Sequence, residues 1–177
     1  MDLFWRKGFY NSGVDEICRE TGMTKGAFYN AFKSKEQFLL ATLRAYGDLI
    51  ESHLQSNLQK GKTKAFTKLQ RLYQGMLESQ ANFNFKGCLV NNTMSEMGAL
   101  NQNVSNLTSV QFERFVQAIE PTVREAQLQG DLKGNMPSSQ LADIIHTVFF
   151  GFLTISKSGN LSTPKLMTIF LNTIKST

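Results

Sequence analysis

The stretch from Ser12 to Phe38, SGVDEICRETGMTKGAFYNAFKSKEQF, constrains this chain most, because it carries three helix starts in close succession. Ser12 opens the first: its hydroxyl can accept a bond from the amide of Asp15, whose carboxylate can reach back, an approximate capping box. A short helix to Thr21 is expected, with Ile17 and Cys18 inward and Asp15, Glu16, Arg19 and Glu20 in water. Gly22 supplies a left-handed stop, and Met23 is the apolar residue that pins the turn. Thr24 opens the second helix, KGAFYNAF, where Phe28 and Phe32 lie four apart on one face and call for burial. The other face offers Thr24, Lys25, Ala27, Tyr29 and Asn30, and Gly26 removes a side chain where the helix would press closest to a surface. Such a helix suits a DNA groove that admits one helix. Ser34, with Gln37 three residues on, opens the third. Lys35 conflicts with the dipole in that first turn, and a phosphate beside it would remove the conflict. No acid interrupts the run from Thr24 to Lys35.

Taken together, FYNSGVDEICRETGMTKGAFYNAFKSKEQF resembles the DNA-binding signature of the TetR family of bacterial transcriptional regulators. Gly8, Phe9, the turn to Ser12, Ile17, Gly22, Thr24 to Gly26, Phe28, Tyr29, Phe32, Lys35 and Glu36 fall at the family's spacing. The motif covers the first quarter of the chain; beyond it the likeness is only one of all-helical pattern. The resemblance implies that Thr24, Lys25, Gly26, Ala27 and Asn30 read bases while Tyr29 and Lys35 hold phosphates. The first segment, MDLFWRKGFY, reads as the end of a helix with Leu3, Phe4 and Trp5 inward and Gly8 near its C-cap. In the family this helix begins earlier, often after a basic arm. Either the start lies upstream, or about two turns of about four residues each have been lost.

The 19 Lys and Arg against 14 Asp and Glu give a net charge of +5. Up to Lys60, eight basic residues face seven acidic ones, so local sequence rather than bulk charge marks the DNA-facing segment. Cys18 and Cys88 give no disulfide framework, which predicts a reducing cytoplasmic compartment, at the nucleoid for a DNA-binding protein. The longest apolar run, inside HTVFFGFLTI, is too short to span a bilayer, and no signal-peptide pattern opens the chain, so no membrane partner is expected. His53 and His146 lack any metal-ligand or triad spacing and no strand precedes a glycine-rich loop. Neither a metal, a cofactor nor an enzymatic activity is expected.

The rest reads as helices. One runs from Lys35 to about Gln59, with Phe38, Thr42, Ala45 and Leu49 on one stripe and Leu39, Leu43, Tyr46, Ile50 and Leu54 beside it. The linker KGKTK ends it as a solvated turn. A helix from Lys64 to Gln80 carries Phe66, Leu69, Tyr73 and Met76. The short polar helix CLVNNTMSEMGAL follows Gly87. A long helix from Ser105 to about Gln129 contains Pro121, expected to kink it, and Gly130 stops it. The helix from Ser138 to Lys157 is apolar nearly all round from Ile144 to Ile155. The last helix has Thr163 as cap and Pro164 at its first position, with Leu166, Ile169, Phe170 and Ile174 as its stripe.

The fold expected is all-α: an N-terminal helix-turn-helix headpiece of three helices (1–34), a connecting helix (35–60) and a C-terminal helical ligand-binding and dimerisation domain (61–177). A homodimer through the last two helices would read a palindromic operator in double-stranded DNA. Tyr73, Met76, Cys88, Asn91, Met94, Phe112, Phe115, His146, Phe149 and Phe150 are candidates to line a pocket for a small apolar or aromatic inducer. Packing is the competing explanation for each. The function expected is a ligand- or stress-responsive repressor released from DNA by that inducer. Cys88 offers an alternative as a thiol sensor of electrophiles or oxidants, because GCLVNN resembles the start of the corresponding helix in such TetR-like regulators and a helix N-terminus favours thiolate. The short first helix offers another, a ligand-binding dimer that no longer grips DNA.

Overall fold

The computed structural model describes residues 1–59, 61–159 and 162–176. It contains helices α1 (Asp2–Lys7), α2 (Val14–Thr21), α3 (Lys25–Phe32), α4 (Lys35–Gln59), α5 (Ala65–Glu78), α6 (Leu89–Met97), α7 (Gln102–Leu128), α8 (Ser138–Ser156) and α9 (Thr163–Thr173). Among the described residues no strand forms; a single antiparallel bridge joins Leu132 to Lys175. Two compact units emerge, one of Met1–Asp48 with Leu89–Gln111, the other of Leu49–Cys88 with Phe112–Thr177.

The first unit is built on phenylalanine rings. Phe38 packs on Phe32, Phe28 and Phe4 at centroid distances of 4.7, 5.4 and 5.7 Å, and Phe4 continues to Phe9 at 6.2 Å. Leu3, Ile17, Cys18, Leu39 and Leu43 complete this core. Phe28 is fully buried, whereas Phe32 is only half-buried at the edge of the cluster. The second unit packs α5, α8 and α9 together with the C-terminal part of α7. Leu69, Tyr73, Phe115, Ile119, Ile145, Phe149 and Met167 are its most enclosed side chains.

Caps decide several boundaries. Thr24 accepts the amide of Ala27 at 3.1 Å and Ser34 that of Gln37 at 3.1 Å, as expected. Gly22 ends α2 at φ 71°, and Met23 donates back to the Cys18 carbonyl. Ser12 is not a cap: α2 is preceded by Gly13, and the buried Ser12 hydroxyl donates instead to the Gly8 carbonyl at 2.6 Å. The start of α7 lies three residues before Ser105, because the Asn101 side chain caps the amide of Val104. Thr163 is inside α9 and buried; the preceding residue is Ser162, which makes no side-chain cap.

On α4, Leu39, Leu43, Tyr46 and Leu54 are buried, but Ala45 and Leu49 face water, so the inner stripe is narrower than the sequence implies. α5 ends at Glu78, and Gln80 lies in a short 3₁₀ turn over Ser79–Phe83. The linker expected to end α4 opens on Lys60, which lies outside the described residues. α7 passes through Pro121 without losing helical assignment.

α8 is 19 residues long with a mean hydropathy of 1.2 over its most apolar 18-residue window, long and apolar enough to cross a bilayer by length and composition alone, which revises the reading from its apolar run. Its Leu141, Ile145, Phe149, Phe150 and Leu153 are buried in the second unit, which fits a core helix. Replacing Phe28 by Ala should lower the stability of the first unit by about 3–5 kcal/mol, because the cavity opens at the centre of the ring cluster. Urea unfolding followed by circular dichroism reads this directly; a loss below about 1 kcal/mol would show that the cluster does not hold the unit together.

Candidate nucleic-acid interface and ligand site

Within the first unit, α3 lies on Phe28, and that burial turns its other face outward. Thr24, Lys25, Gly26, Ala27, Tyr29 and Asn30 are all exposed. The Lys25 ammonium pairs with Asp15 of α2 at 2.7 Å, and that carboxylate raises the lysine's pKa by hydrogen bonding and by charge. Both partners are largely exposed, so the pair is easily exchanged for another anion. Tyr29 packs its ring edge-on against Phe28 and keeps 47% of its surface free. Lys33 ends α3 with φ 65°, a conformation side chains rarely adopt, and its ammonium donates to the Asn30 carbonyl.

Lys35 takes a different place from the one its position in the first turn suggests. Its ammonium donates to the carbonyls of Phe9 at 2.9 Å and Ser12 at 3.1 Å and lies 4.0 Å over the Phe9 ring. The same turn is gripped from the other side by Glu96 of α6. Both carboxylate oxygens accept the Phe9 amide at 3.0 Å, and one accepts the Tyr10 amide at 3.2 Å. Gly8 makes this possible: it has φ 75°, and a Cβ there would lie 2.7 Å from the Glu96 carboxylate. Glu36, in the first turn of α4, is held by the side-chain amides of Asn101 and Asn103 at 3.0 Å each. Glu96, Asn101 and Asn103 lie outside the motif, and nothing in local sequence singles them out.

In the second unit, six of the ten pocket candidates converge. The ring of His146 lies 4.9 to 6.1 Å from those of Phe150, Phe112, Phe149, Phe115 and Tyr73. The Tyr73 hydroxyl and His146 Nδ1 share a hydrogen bond of 3.2 Å, while Nε2 is buried with no partner among the described residues. Burial pushes the Tyr73 phenol well above its ordinary value and His146 down to about 3. Met76 lines a separate cleft, Cys88 is buried near Lys157, and Asn91 and Met94 belong to α6 in the first unit.

Two outcomes follow from this geometry. An unfolded imidazole titrates near 6.5 but the folded one near 3, so between those values the unfolded chain binds the extra proton and stability falls as pH drops. Between about pH 7 and pH 5 the wild type should lose about 2 kcal/mol in urea titrations that His146→Phe does not lose. Removing the Glu96 carboxylate as Glu96→Ala leaves the part-buried Phe9 amide without its acceptor and should cost about 1–3 kcal/mol. Hydrogen exchange should then show faster exchange at Phe9 and Tyr10; unchanged protection would mean that the carboxylate carries no load.

Two family models match the chain. Residues 1–42 match "Bacterial regulatory proteins, tetR family" and residues 65–165 match "Tetracyclin repressor-like, C-terminal domain". The transcriptional regulator AcuR of Cereibacter sphaeroides is 31% identical over 138 residues, which is 77% of this chain and 63% of AcuR. The transcriptional repressor DhaR of a Mycobacterium species is 26% identical over 143 residues, 81% of this chain and 71% of DhaR. The chain thus spans between three-fifths and three-quarters of the length of these relatives. A crystal structure of a regulatory protein TetR from Rhodobacter sphaeroides superimposes with a TM-score of 0.89 at 26% identity, covering 98% of this chain and 93% of that one. With both its N-terminal and C-terminal parts matched, the chain belongs to the tetR family of bacterial regulatory proteins.

Proposed function

We propose that the protein is a cytoplasmic, dimeric transcriptional repressor that binds a palindromic operator through α3 and leaves it when a small apolar or aromatic molecule enters the C-terminal domain. The observation that carries this reading is the uninterrupted exposed face of α3, Thr24 to Ala27 with Tyr29 and Asn30, set on the buried Phe28. Its side chains offer hydroxyls, an amide and a cation to base edges and phosphates, and Gly26 permits close approach. Lys25 would exchange Asp15 for DNA. Lys35, with two carbonyls already on its ammonium, would contribute to the phosphates through its charge and its remaining proton. That AcuR is a transcriptional regulator and DhaR a transcriptional repressor supports the same reading.

The partner in the dimer is a second copy. On α8 and α9, Ile144, Ile155 and Ile169 remain between 41% and 51% exposed, an apolar face that a copy of itself would cover. In this reading residues 1–34 contact DNA, the helix over 35–60 connects, and 61–177 bind ligand and dimerise. The ligand shifts the central helices and tilts α4. The spacing of the two α3 helices then no longer matches successive major grooves, a population shift between two dimer geometries.

A second reading has its own observation. Cys88 immediately precedes α6, and the Lys157 ammonium, whose pKa burial lowers, feels its charge. A nearby ammonium favours thiolate, so addition of an electrophile at Cys88 would supply the releasing signal instead.

Fluorescence anisotropy with labelled DNA from upstream of the gene tests both. Specific binding should weaken steeply with salt, and Lys25→Ala and Asn30→Ala should each lose about 1–3 kcal/mol of sequence discrimination. N-ethylmaleimide should release the wild type but not Cys88→Ser if the thiol reading holds. Ile169→Glu should sediment as a monomer and lose most operator affinity. Absence of specific binding at low salt would instead indicate a ligand-binding dimer without DNA activity.

A further inference from the structure

A cleft of about 360 Å³ opens in the second unit, between the C-terminal half of α4 and the length of α5. Leu72 and Met76 give it an apolar floor; His53 and Asn57 come from α4, and Lys68 and Arg71 from α5. Its volume is that of a small-molecule site. No carboxylate is among its described lining residues.

Several cations of the unit are paired with acids, and those of this cleft are not. Arg114 pairs with Glu51, Arg124 with Glu120 and Lys64 with Asp131. The acids nearest in sequence along these helices are already engaged: Glu78 accepts from Gln74, and Glu51 is taken by Arg114. Lys68 and Arg71 make no ion pair with any described residue. They stand three apart on one helix, where like charges repel. Lys68 also borders a second recess, beside Pro121 and Glu125 of α7. Two like charges converging on a concave surface with an apolar floor leave an electrostatic cost that an anion would remove, and a bidentate guanidinium suits an oxyanion.

We propose that this cleft binds a small organic oxyanion, a carboxylate or phosphate monoester on a short apolar or aromatic body, with Arg71 and Lys68 holding the anionic group and Leu72 and Met76 the body. The inference rests on the ligand-responsive reading above for its biological role, but not for the site itself.

Calorimetric titration of the full chain without DNA tests the site, using hexanoate, benzoate and phenyl phosphate, with benzamide as the uncharged counterpart of benzoate. At least one anion should bind saturably, and benzamide should bind more than about tenfold more weakly than benzoate. Arg71→Gln and Lys68→Gln should each weaken anion binding by about tenfold or more, while Lys62→Gln, in the turn before α5, should not. Circular dichroism and melting temperature establish that the variants fold. Failure of every anion to saturate by about 10 mM, or equal binding by wild type and both variants, would overturn the proposal. Operator anisotropy separates it from the repressor reading. Anion binding that leaves DNA affinity unchanged supports the site and removes its inducer role. Release by an uncharged molecule, undiminished in Arg71→Gln and accompanied by no anion binding, removes the site and leaves the repressor reading intact.

Discussion

The turn from Gly8 to Ser12 is the constraint on which the first unit depends. The end of α1 leaves backbone donors and acceptors that the following helix does not use, and side chains from elsewhere in the chain satisfy them. Glu96 takes the amides of Phe9 and Tyr10, Lys35 gives protons to the carbonyls of Phe9 and Ser12, and the Ser12 hydroxyl closes on the Gly8 carbonyl. Orphaned polar groups at a part-buried turn would each cost on the order of 1–3 kcal/mol, so the two charged side chains fix where α1 can lie. Phe9 then stacks on Phe4, Phe4 meets Phe38, and Phe38 meets Phe28 under α3. The exposed face of α3 is therefore positioned by residues of α4 and α6 as much as by its own motif.

That dependence explains why some of the structure was legible in the sequence and some was not. Helices announce themselves by period, and caps by residues that bond within one turn, so Thr24, Ser34 and Gly22 act as read. Ser12 had the right chemistry for a cap but found the Gly8 carbonyl first, and the bonds of Lys35 to the carbonyls of Phe9 and Ser12 were not legible in its position. Glu96 bonds an amide 87 positions away, and no local pattern encodes such a pairing.

The pocket candidates divide for a related reason. Tyr73, Phe115, His146 and Phe149 share stripes on helices of one unit and so converge, whereas Asn91 and Met94 lie on a helix that joins the other unit. Periodicity tells which face is apolar. It does not tell which helix will cover it, nor that the rings around His146 would fill their own space: Tyr73, Phe115, His146 and Phe149 are each no more than 1% exposed. By contrast, the cleft beside Arg71 is open and lined by polar and charged side chains as well as by Leu72 and Met76.

The same limit applies to α8, whose composition would suit a bilayer, a core or a subunit interface. A bilayer would require apolar groups around the whole circumference, yet Asp143 faces outward and the packed face is already committed to Tyr73, Phe115 and the α9 side chains. What remains is a partial face, Ile144 and Ile155, next in sequence to the helix that exposes Ile169. Apolar surface left in water costs about 25 cal/mol per Å², and in the dimer proposed above a two-fold copy presenting the same face would cover it. In the dimer proposed above this partial apolar face would be the pairing surface, on the unit that also carries the proposed cleft. The cleft is lined by α4 and α5, and α5 packs on both α8 and α9, so a ligand that moved α5 would reach the pairing helices, which is the coupling a ligand-controlled dimer needs.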